Sequence, residues 1–306
     1  MKSINIGKTG MMVSEIALGC MRMAGIPLER AERVIKTALE CGINFFDHAD
    51  IYGGNGRSEE VFAAAANFSE DEREKIFLQT KCAIKPNMYD FSKEHIISSV
   101  EGSLRRLKTD YIDLLLLHRP DALAEPDEVN EAFCKLANEG KVRHFGVSNH
   151  KPMQIELLDR SLAHRIVVNQ LQFGIAHSGM IDNGINVNMK NDPSIDHDGS
   201  VLDYCRLKDI TIQAWSPFMH GFFEGVFFDS DKYAELSAKL AEMAEAKGVG
   251  DNALAIAWIL RHPAKIQPIV GSMTPERIKA IAAASEVELT REEWYDLYRA
   301  AGNRLP

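Results

Sequence analysis

Residues 42–54 join an apolar run to an acid, a phenol and two glycines. Ile43 to Phe46 is compatible with a β-strand, Asp47 ends it, and Tyr52 stands directly before the two glycines. A strand that ends in an acid and opens into a glycine-rich loop brings side chains to one rim of a sheet, and loops at such rims carry chemistry. Taken alone, Asp47 and Tyr52 are more often a helix cap and a packed ring than catalytic groups.

Several other predicted strands also end in polar or aromatic residues. The residues at these strand ends, which include one glycine, are Lys81, His118, Ser148, Asn149, Gln170, Trp215, Ser216, Gly271 and Ser272. Each has a plain structural alternative, since a lysine can end a strand in solvent and a histidine can be a satisfied core residue. An acid, a phenol, an amine and an imidazole together on one rim indicate an active site instead.

The chemistry that suits this set is delivery of a proton to an oxygen. A free phenol has a pKa of about 10 and is a poor acid at neutral pH. A nearby ammonium on Lys81 should lower the pKa of Tyr52, and Asp47 should hold that amine in place. His118 could orient the substrate oxygen or assist the proton transfer. Because no side chain supplies hydride, we expect a nicotinamide cofactor, on whose ring Trp215 could stack. Groups suited to bind the carboxamide of that ring lie on Ser148, Asn149 and Gln170.

The elements that must position these groups alternate between strand and helix. After a predicted two-strand hairpin within residues 4–13, the sequence has eight strand–helix units. Some strands, such as Ile112 to Leu117, are apolar on both faces, as in a parallel sheet covered by helices. The pattern predicts an α/β fold: a (β/α)8 TIM barrel with an N-terminal β-hairpin cap and extra helices at the C-terminus. No linker-like stretch divides the chain, so we expect one domain over residues 1–306.

A doubly wound open sheet is the structural alternative, but no Gly-x-Gly-x-x-Gly follows the first strand, as a dinucleotide-binding version would require. Residues 177–200 are polar and rich in Gly, Asn and Asp, which predicts a long loop that shapes the substrate pocket. The sequence Asp196-His197-Asp198 in this segment is interpreted as a solvated acidic loop, and no metal site is predicted.

Composition limits the classes of partner. The formal net charge of −9 and the lack of a Lys/Arg cluster argue against nucleic acid and anionic membranes. No apolar run resembles a signal peptide or a membrane span, so a cytoplasmic protein is expected. The five cysteines are odd in number and include no Cys-x-x-Cys pair, which favours buried free thiols over disulfides or zinc ligands.

Seven segments, taken in order, resemble the aldo-keto reductase superfamily, with closest likeness to a bacterial oxidoreductase subgroup. They are 46–53, 79–81, 115–118, 146–149, 169–170, 215–217 and 270–272. The resemblance implies a barrel that reduces an aldehyde or ketone to an alcohol with NADPH. It also implies a catalytic tetrad of Asp47, Tyr52, Lys81 and His118, with Tyr52 as the proton donor.

The same resemblance implies the rest of the cofactor site. Trp215 would stack on the nicotinamide, where many members have Tyr. Ser216, Phe218 and Gly221 would line the path of the pyrophosphate. Ser272 and Arg277, beside Gly271, would hold the adenosine 2′-phosphate.

Three departures from the family pattern bear on the cofactor and the site. His48 stands where many members carry Thr, and Gly271 stands where many carry Lys. Ala280 and Ile281 replace a Glu-Asn pair that often contacts the adenine. Arg277 retains a guanidinium able to bind phosphate bidentately, so NADP is favoured over NAD.

Two other functions and the oligomeric state stay open. A metal-dependent barrel hydrolase would need a His-x-His at an early strand end, which this chain lacks. A cofactor-binding sensor with little turnover is the second alternative, against which the complete tetrad argues. The expected partner is a small-molecule carbonyl compound, and a monomer is slightly favoured because family members are often monomeric.

Overall fold

Parallel strands close into a barrel in the computed structural model, which describes residues 1–222 and 224–305. The strands along the chain are β1 (Ser3–Asn5), β2 (Met12–Ser14), β3 (Ala17–Gly19), β4 (Phe45–Asp47), β5 (Phe77–Cys82), β6 (Ile84–Lys85), β7 (Met88–Tyr89), β8 (Ile112–Leu117), β9 (Val142–Ser148), β10 (Ile166–Gln172), β11 (Thr211–Trp215) and β12 (Gln267–Val270). The barrel runs in chain order through β3, β4, β5, β8, β9, β10, β11 and β12. Because β12 pairs with β3, the ring is closed, and the predicted (β/α)8 barrel is confirmed over the open sheet.

Helices surround the barrel. They are α1 (Leu28–Glu40), α2 (Arg57–Ala66), α3 (Glu70–Arg73), α4 (Lys93–Leu107), α5 (Pro126–Asn138), α6 (Pro152–Asp159), α7 (Gly179–Ile185), α8 (Val201–Leu207), α9 (Ala234–Lys247), α10 (Asp251–Leu260), α11 (Pro275–Ala282) and α12 (Arg291–Ala300). In α1, Ala31, Val34, Ile35 and Ala38 recur at helical spacing and are buried. The buried stripe of α1 therefore forms part of the layer between helices and strands. Among the residues that the structure describes, no helix is long and apolar enough to cross a membrane.

The antiparallel β1–β2 hairpin caps the amino-terminal end of the barrel. Its connection buries Ile6 and Met11 in an apolar cluster with residues from inside the barrel. Gly7 lies at φ +52°, and a Cβ atom there would be 2.5 Å from the Cβ of Val167. Its amide donates to the Thr211 hydroxyl at 2.8 Å. This end is thus filled, and functional side chains are left to the carboxyl ends of the strands.

Residues 177–200 differ from the predicted loop. They contain α7 and a 3-10 turn over Asp192–Ser194. Met180 and Ile181 on α7 are buried, and Asp182 accepts hydrogen bonds from the Ser178 and Tyr298 hydroxyls at 2.9 and 2.7 Å. The prediction of a continuous loop was wrong because two apolar residues and one carboxylate anchor this segment. The Gly and Asn content of this segment gave no indication of these contacts.

Candidate active site

A buried ion pair lies where two neighbouring barrel strands end. Asp47 is the last residue of β4, and Lys81 lies on β5 two residues beyond the cross-strand partner of Asp47. The Lys81 Nζ donates to both carboxylate oxygens of Asp47, at 2.7 and 2.8 Å, and to the His48 carbonyl at 2.8 Å. Lys81 is 0% exposed and Asp47 3%. The ammonium is therefore fixed by acceptors in a site from which water is excluded.

Tyr52 joins this pair from the loop that follows β4. The Lys81 Nζ lies 3.1 Å from the Tyr52 hydroxyl and donates to its oxygen. A phenol that accepts in this way keeps its own proton available for another acceptor. The structure thus brings Asp47, Tyr52 and Lys81 into direct contact, as predicted from the sequence.

The protonation state of the phenol differs from the prediction. Burial raises the pKa of Tyr52, and the nearby ammonium offsets only part of that effect, so the net direction is upward. The expectation that Lys81 would lower this pKa below its usual value was wrong, because desolvation of the phenolate outweighs the charge. For Lys81, burial lowers the pKa, but Asp47 and Tyr52 more than compensate, and the pKa rises. At neutral pH the site holds a neutral phenol and a charged ammonium.

His118 follows β8 and faces the phenol. The ring centroids of His118 and Tyr52 are 5.8 Å apart in an edge-on arrangement. Burial, assisted by the charges on Lys81 and Arg119, holds the pKa of His118 well below its usual value. Its Nδ1 is buried and has no hydrogen-bond partner among residues 1–222 and 224–305. A neutral imidazole can donate a hydrogen bond through one ring nitrogen and accept one through the other.

Three further strand ends are linked by side-chain hydrogen bonds. The Ser148 hydroxyl donates to the main-chain carbonyl of Gln170 at 3.0 Å, and the Asn149 Nδ2 donates to the Ser148 hydroxyl at 2.7 Å. The Trp215 Nε1 donates to the Asn149 Oδ1 at 3.1 Å. These bonds connect the ends of β9, β10 and β11. The indole of Trp215 is thereby held beside the predicted carboxamide-binding groups.

The remaining predicted cofactor residues follow β11 and β12. Ser216 and Gly221 have left-handed φ values of 50° and 60°, and the Gly221 carbonyl accepts from the Gln172 Nε2 at 2.6 Å. Phe218 is half-buried in the same segment. After β12 come Gly271, Ser272 and Arg277. Arg277 is exposed in the first turn of α11, where its guanidinium faces solvent.

The profile of the aldo/keto reductase family matches residues 15–301. The chain belongs to this family. The match covers the barrel strands and the helices around them, so the predicted family and the prediction of an oxidoreductase are both confirmed.

Individual members show how similar the chain is to known aldo/keto reductases. It is 36% identical to 6-dehydroglucose reductase of Agrobacterium fabrum over 277 residues, which cover 87% of this chain and 86% of that one. It is 34% identical to the oxidoreductase YdhF of Escherichia coli, with 97% of each chain covered. An aldo-keto reductase from Klebsiella pneumoniae, solved in complex with NADPH, has 27% identity and a TM-score of 0.78 and covers 100% of this chain and 96% of its own.

Gln170 was named from the sequence as a cofactor residue, but the hydrogen bonds among glutamine side chains inside this aldo/keto reductase barrel were not predicted. The Gln79 Nε2 donates to the Asp47 Oδ1, and the Gln170 Nε2 donates to the same oxygen at 3.1 Å. Gln170 is also bonded to Gln213, and Gln213 to Gln267. The sequence did contain a signal for these side chains. Residues two apart along a strand point to the same face, and these glutamines interrupt otherwise apolar strands.

A second buried ion pair supports the loop that carries Tyr52. Glu59 on α2 is 0% exposed; its Oε1 accepts from the Thr80 hydroxyl at 2.6 Å and its Oε2 from the Arg106 Nε at 2.7 Å. Gly56 lies at φ +78°, and a Cβ there would be 2.1 Å from that Nε. Burial, with a smaller effect of Glu59, raises the pKa of the nearby Asp50 to about 7. The loop is thus packed closely onto an arginine that the ion pair fixes.

His48, next to the catalytic candidate Asp47, is fully buried. Both ring nitrogens lack a hydrogen-bond partner in the part of the chain that the structure describes. The imidazole packs edge-on against Phe62 with 4.6 Å between ring centroids. Burial and the Lys81 charge lower its pKa to about 3. The residue that departs from the family pattern therefore behaves as an apolar ring with two unsatisfied polar atoms.

We expect the substitution His48→Leu to stabilise the protein. Removing two unsatisfied buried polar atoms should raise the free energy of unfolding by about 1–3 kcal/mol at pH 7. The folded-state pKa is about 3 against 6.5 for the free side chain, so between these values the unfolded state binds the extra proton. Wild-type stability therefore falls as the pH falls through this window, and the advantage of the variant should grow by about 1.4 kcal/mol per pH unit.

Urea denaturation of both proteins between pH 7 and pH 5 measures this effect. At each pH the wild-type free energy of unfolding is subtracted from that of the variant. The contributions of other buried histidines, such as His150, cancel in this difference, and the contribution of His48 remains. An advantage that stays constant with pH would show that the folded protein protonates His48 readily.

A cavity of about 410 Å³ opens beside Trp215 and Phe222. Its wall combines these rings with polar side chains from the strand ends and from the segment after β10. The polar residues are Arg119, Asn149, Gln172, His177, Asp182, Asp192, His197 and Asp198. Within residues 1–222 and 224–305, no group of three or more His, Cys, Asp or Glu side chains is arranged to hold a metal ion.

Proposed function

We propose that this aldo/keto reductase uses NADPH to reduce the aldehyde or ketone group of a small molecule to an alcohol. The observation that carries the proposal is the contact of the Tyr52 hydroxyl with the buried Lys81–Asp47 pair. Two solved members of the family from Klebsiella pneumoniae contain NADPH or NADP, which supports this choice of cofactor.

Tyr52 acts as the proton donor. NADPH, when bound, supplies the hydride. The Lys81 ammonium donates to the phenol oxygen, which leaves the phenol proton free to pass to the substrate oxygen as negative charge develops there. The raised pKa of Tyr52 keeps that proton in place at neutral pH until the acceptor forms. Asp47 fixes the ammonium, and the neutral imidazole of His118 orients the substrate oxygen.

The residues present fit a nicotinamide ring at the mouth of the barrel. The hydrogen bond from Trp215 to Asn149 orients the indole as a stacking surface. Asn149 retains a second N–H on Nδ2, and Gln170 retains its Oε1, so the pair offers a donor and an acceptor to a carboxamide. The Ser148 hydroxyl orients the Asn149 amide and is itself anchored on the main-chain carbonyl of Gln170.

The phosphate groups of the cofactor have partners on the next two strand ends. Ser216, Phe218 and Gly221 would line the pyrophosphate. Gly271, Ser272 and Arg277 would surround the 2′-phosphate, for which an exposed guanidinium is a strong partner. This arrangement favours NADP over NAD.

The substrate is proposed to be a polyhydroxylated carbonyl compound. Amide, carboxylate and imidazole groups line the cavity beside Trp215, and such groups bind hydroxyls by donating and accepting hydrogen bonds. Two relatives at 36% and 35% identity are named 6-dehydroglucose reductase, which supports an oxidised sugar. Cavity residues from 177–200 would then select the substrate.

The test is oxidation of NADPH, followed by absorbance, with a panel of sugar-derived and simple aldehydes. Continuous turnover, faster with polyhydroxylated aldehydes, is expected. Bound NADPH that is not oxidised by any aldehyde would favour the sensor alternative instead. Faster turnover with apolar aldehydes would contradict the substrate class but not the reaction.

Arg277→Ala is expected to weaken NADPH binding by about 10- to 100-fold, the worth of hydrogen bonds to a charged group, and to leave NADH binding unchanged. The two dissociation constants, measured by fluorescence quenching, check this. Lys279→Ala removes another exposed cation of α11 and serves as the matched control. An equal loss for NADPH and NADH would show that Arg277 does not bind the 2′-phosphate.

A further inference from the structure

Three glutamines stand side by side inside the barrel. Gln170 on β10 is the cross-strand partner of Gln213 on β11, and Gln213 is the partner of Gln267 on β12. Their exposures are 2%, 0% and 0%. Barrel interiors are normally filled by branched apolar residues. Three adjacent buried amides in register therefore call for a specific explanation.

Hydrogen bonds join these side chains into a continuous series, which we name the glutamine ladder (Gln170, Gln213 and Gln267). The Gln267 Nε2 donates to the Ser14 carbonyl at 2.8 Å, and its Oε1 accepts from the Gln213 Nε2 at 2.9 Å. The Gln213 Oε1 accepts from the Gln170 Nε2 at 3.1 Å. The Gln170 Nε2 also donates to the Asp47 Oδ1 at 3.1 Å.

The direction of every amide in the ladder is determined by its two ends. At one end Ser14 presents a main-chain carbonyl, and at the other Asp47 presents a carboxylate that is paired with Lys81; both groups only accept. Turning any one amide over would bring two donors or two acceptors together in a buried site, at a large energetic cost. Both N–H groups of Gln170 are used, and its Oε1 is the polar atom left for a ligand.

The ladder connects the hairpin end of the barrel to the proposed active site. Gln170 holds one carboxylate oxygen of Asp47, and that carboxylate holds the Lys81 ammonium beneath Tyr52. Because the Gln170 Nε2 donates to Asp47, Gln170 presents an acceptor, and not a donor, toward the carboxamide of the nicotinamide. Buried polar networks seldom stabilise a protein more than apolar packing of the same volume, which points to a role in orientation.

We propose that Gln213 and Gln267 are positioning residues, which act through Gln170 to fix its amide and the carboxylate of Asp47. Neither residue touches the ion pair directly in the hydrogen bonds described above. The inference rests on the proposed function for the role of Gln170, so its test includes a measurement on the protein without cofactor.

The first measurement needs no cofactor. Hydrogen exchange of the glutamine side-chain NH2 groups is followed by NMR in ¹⁵N-labelled protein. Gln267→Met keeps the volume but removes the acceptor of Gln213, and we expect exchange at the Gln170 NH2 to accelerate by about 10-fold or more, as local opening becomes easier. Unchanged exchange at Gln170 would overturn the ladder as a connected unit, whatever the enzyme binds.

The matched control is Val168→Ala. Val168 is buried on β10, two residues before Gln170 on the same face, and has no polar side-chain atom. This change loosens packing beside the ladder without removing a hydrogen bond. Exchange at Gln170 should stay as in the wild type. Equal acceleration in Val168→Ala and Gln267→Met would show that packing, and not the ladder, protects the amide.

The second measurement compares NADP+ with its 3-acetylpyridine analogue, which lacks the carboxamide N–H. Because Gln170 presents a fixed acceptor, the wild type should bind NADP+ about 3- to 10-fold more tightly than the analogue. This factor is the worth of one hydrogen bond. In Gln213→Met the amide of Gln170 keeps only its hydrogen bond to Asp47, so its Oε1 is held less firmly and the preference for NADP+ should fall. Val168→Ala should keep it.

The outcomes separate the two proposals. If NADP+ does not bind at all, the proposed function is wrong and the exchange experiment alone decides on the ladder. If NADP+ binds and Gln213→Met keeps the full preference of the wild type, the positioning role is wrong and the proposed function stands.

Discussion

Tyr52→Phe is expected to lower kcat for aldehyde reduction by about 10²- to 10⁴-fold, the usual contribution of a positioned general acid. The substitution removes only the hydroxyl that receives the Lys81 hydrogen bond at 3.1 Å. Lys81 keeps its bonds to Asp47 and to the His48 carbonyl, so the site should stay folded. NADPH affinity should therefore be unchanged. Steady-state turnover and the dissociation constant of NADPH measure the two effects.

Tyr89→Phe is the matched control for this prediction. Tyr89 lies on β7, is 45% exposed and takes no part in the buried ion pair, so its loss should leave kcat as in the wild type. If the Tyr52→Phe enzyme still reduced aldehydes at a substantial rate, the Tyr52 phenol would not be the proton donor. His118 would then be the remaining candidate, although its lowered pKa leaves it neutral and a poor acid at pH 7.

Lys81→Met is expected to have the largest effect on stability. It leaves the carboxylate of Asp47 buried without its cation, and breaking a buried ion pair from one side costs about 3–5 kcal/mol. Gln79 and Gln170 still donate to Asp47, but neutral amides do not replace an ammonium. The free energy of unfolding from urea denaturation should fall by that amount. Aldehyde reduction should be lost as well.

The double variant Asp47→Asn with Lys81→Met separates the two consequences. Removing both charges should restore most of the stability, because no unpaired ion remains, but it should not restore reduction. Lys75→Met, at an exposed lysine, should leave both properties as in the wild type. Recovery of activity in the double variant would show that the pair serves the fold only.

The pKa values of His48 and Tyr52, both in the segment after β4, illustrate why prediction from sequence has limits. The presence of Lys81 near Tyr52 predicted a lowered phenol pKa, yet burial reverses the direction. For His48 the sequence indicated a departure from a family pattern. It gave no indication that both nitrogens would be buried without partners. Desolvation depends on every atom around a group, and those atoms come from distant parts of the chain.

Local sequence patterns were sufficient to predict an element wherever the interactions that form it are close in sequence. The apolar stripe of α1 repeats at helical spacing within one segment, and the Ser92 hydroxyl caps α4 by accepting from the His95 amide at 3.4 Å. The segment 177–200 was mispredicted because α7 is anchored by Tyr298, more than a hundred residues away along the chain.

The sequence by itself determined the closed barrel, the family and the rim on which Asp47, Tyr52, Lys81 and His118 meet. Strand periodicity and the residues at strand ends are local properties, and the barrel topology brings all such ends to one side. Only the tertiary structure decided the register that aligns Gln170, Gln213 and Gln267, and the direction of the Tyr52 pKa. Register and desolvation are set by contacts between strands far apart in the chain, and no single segment contains that information.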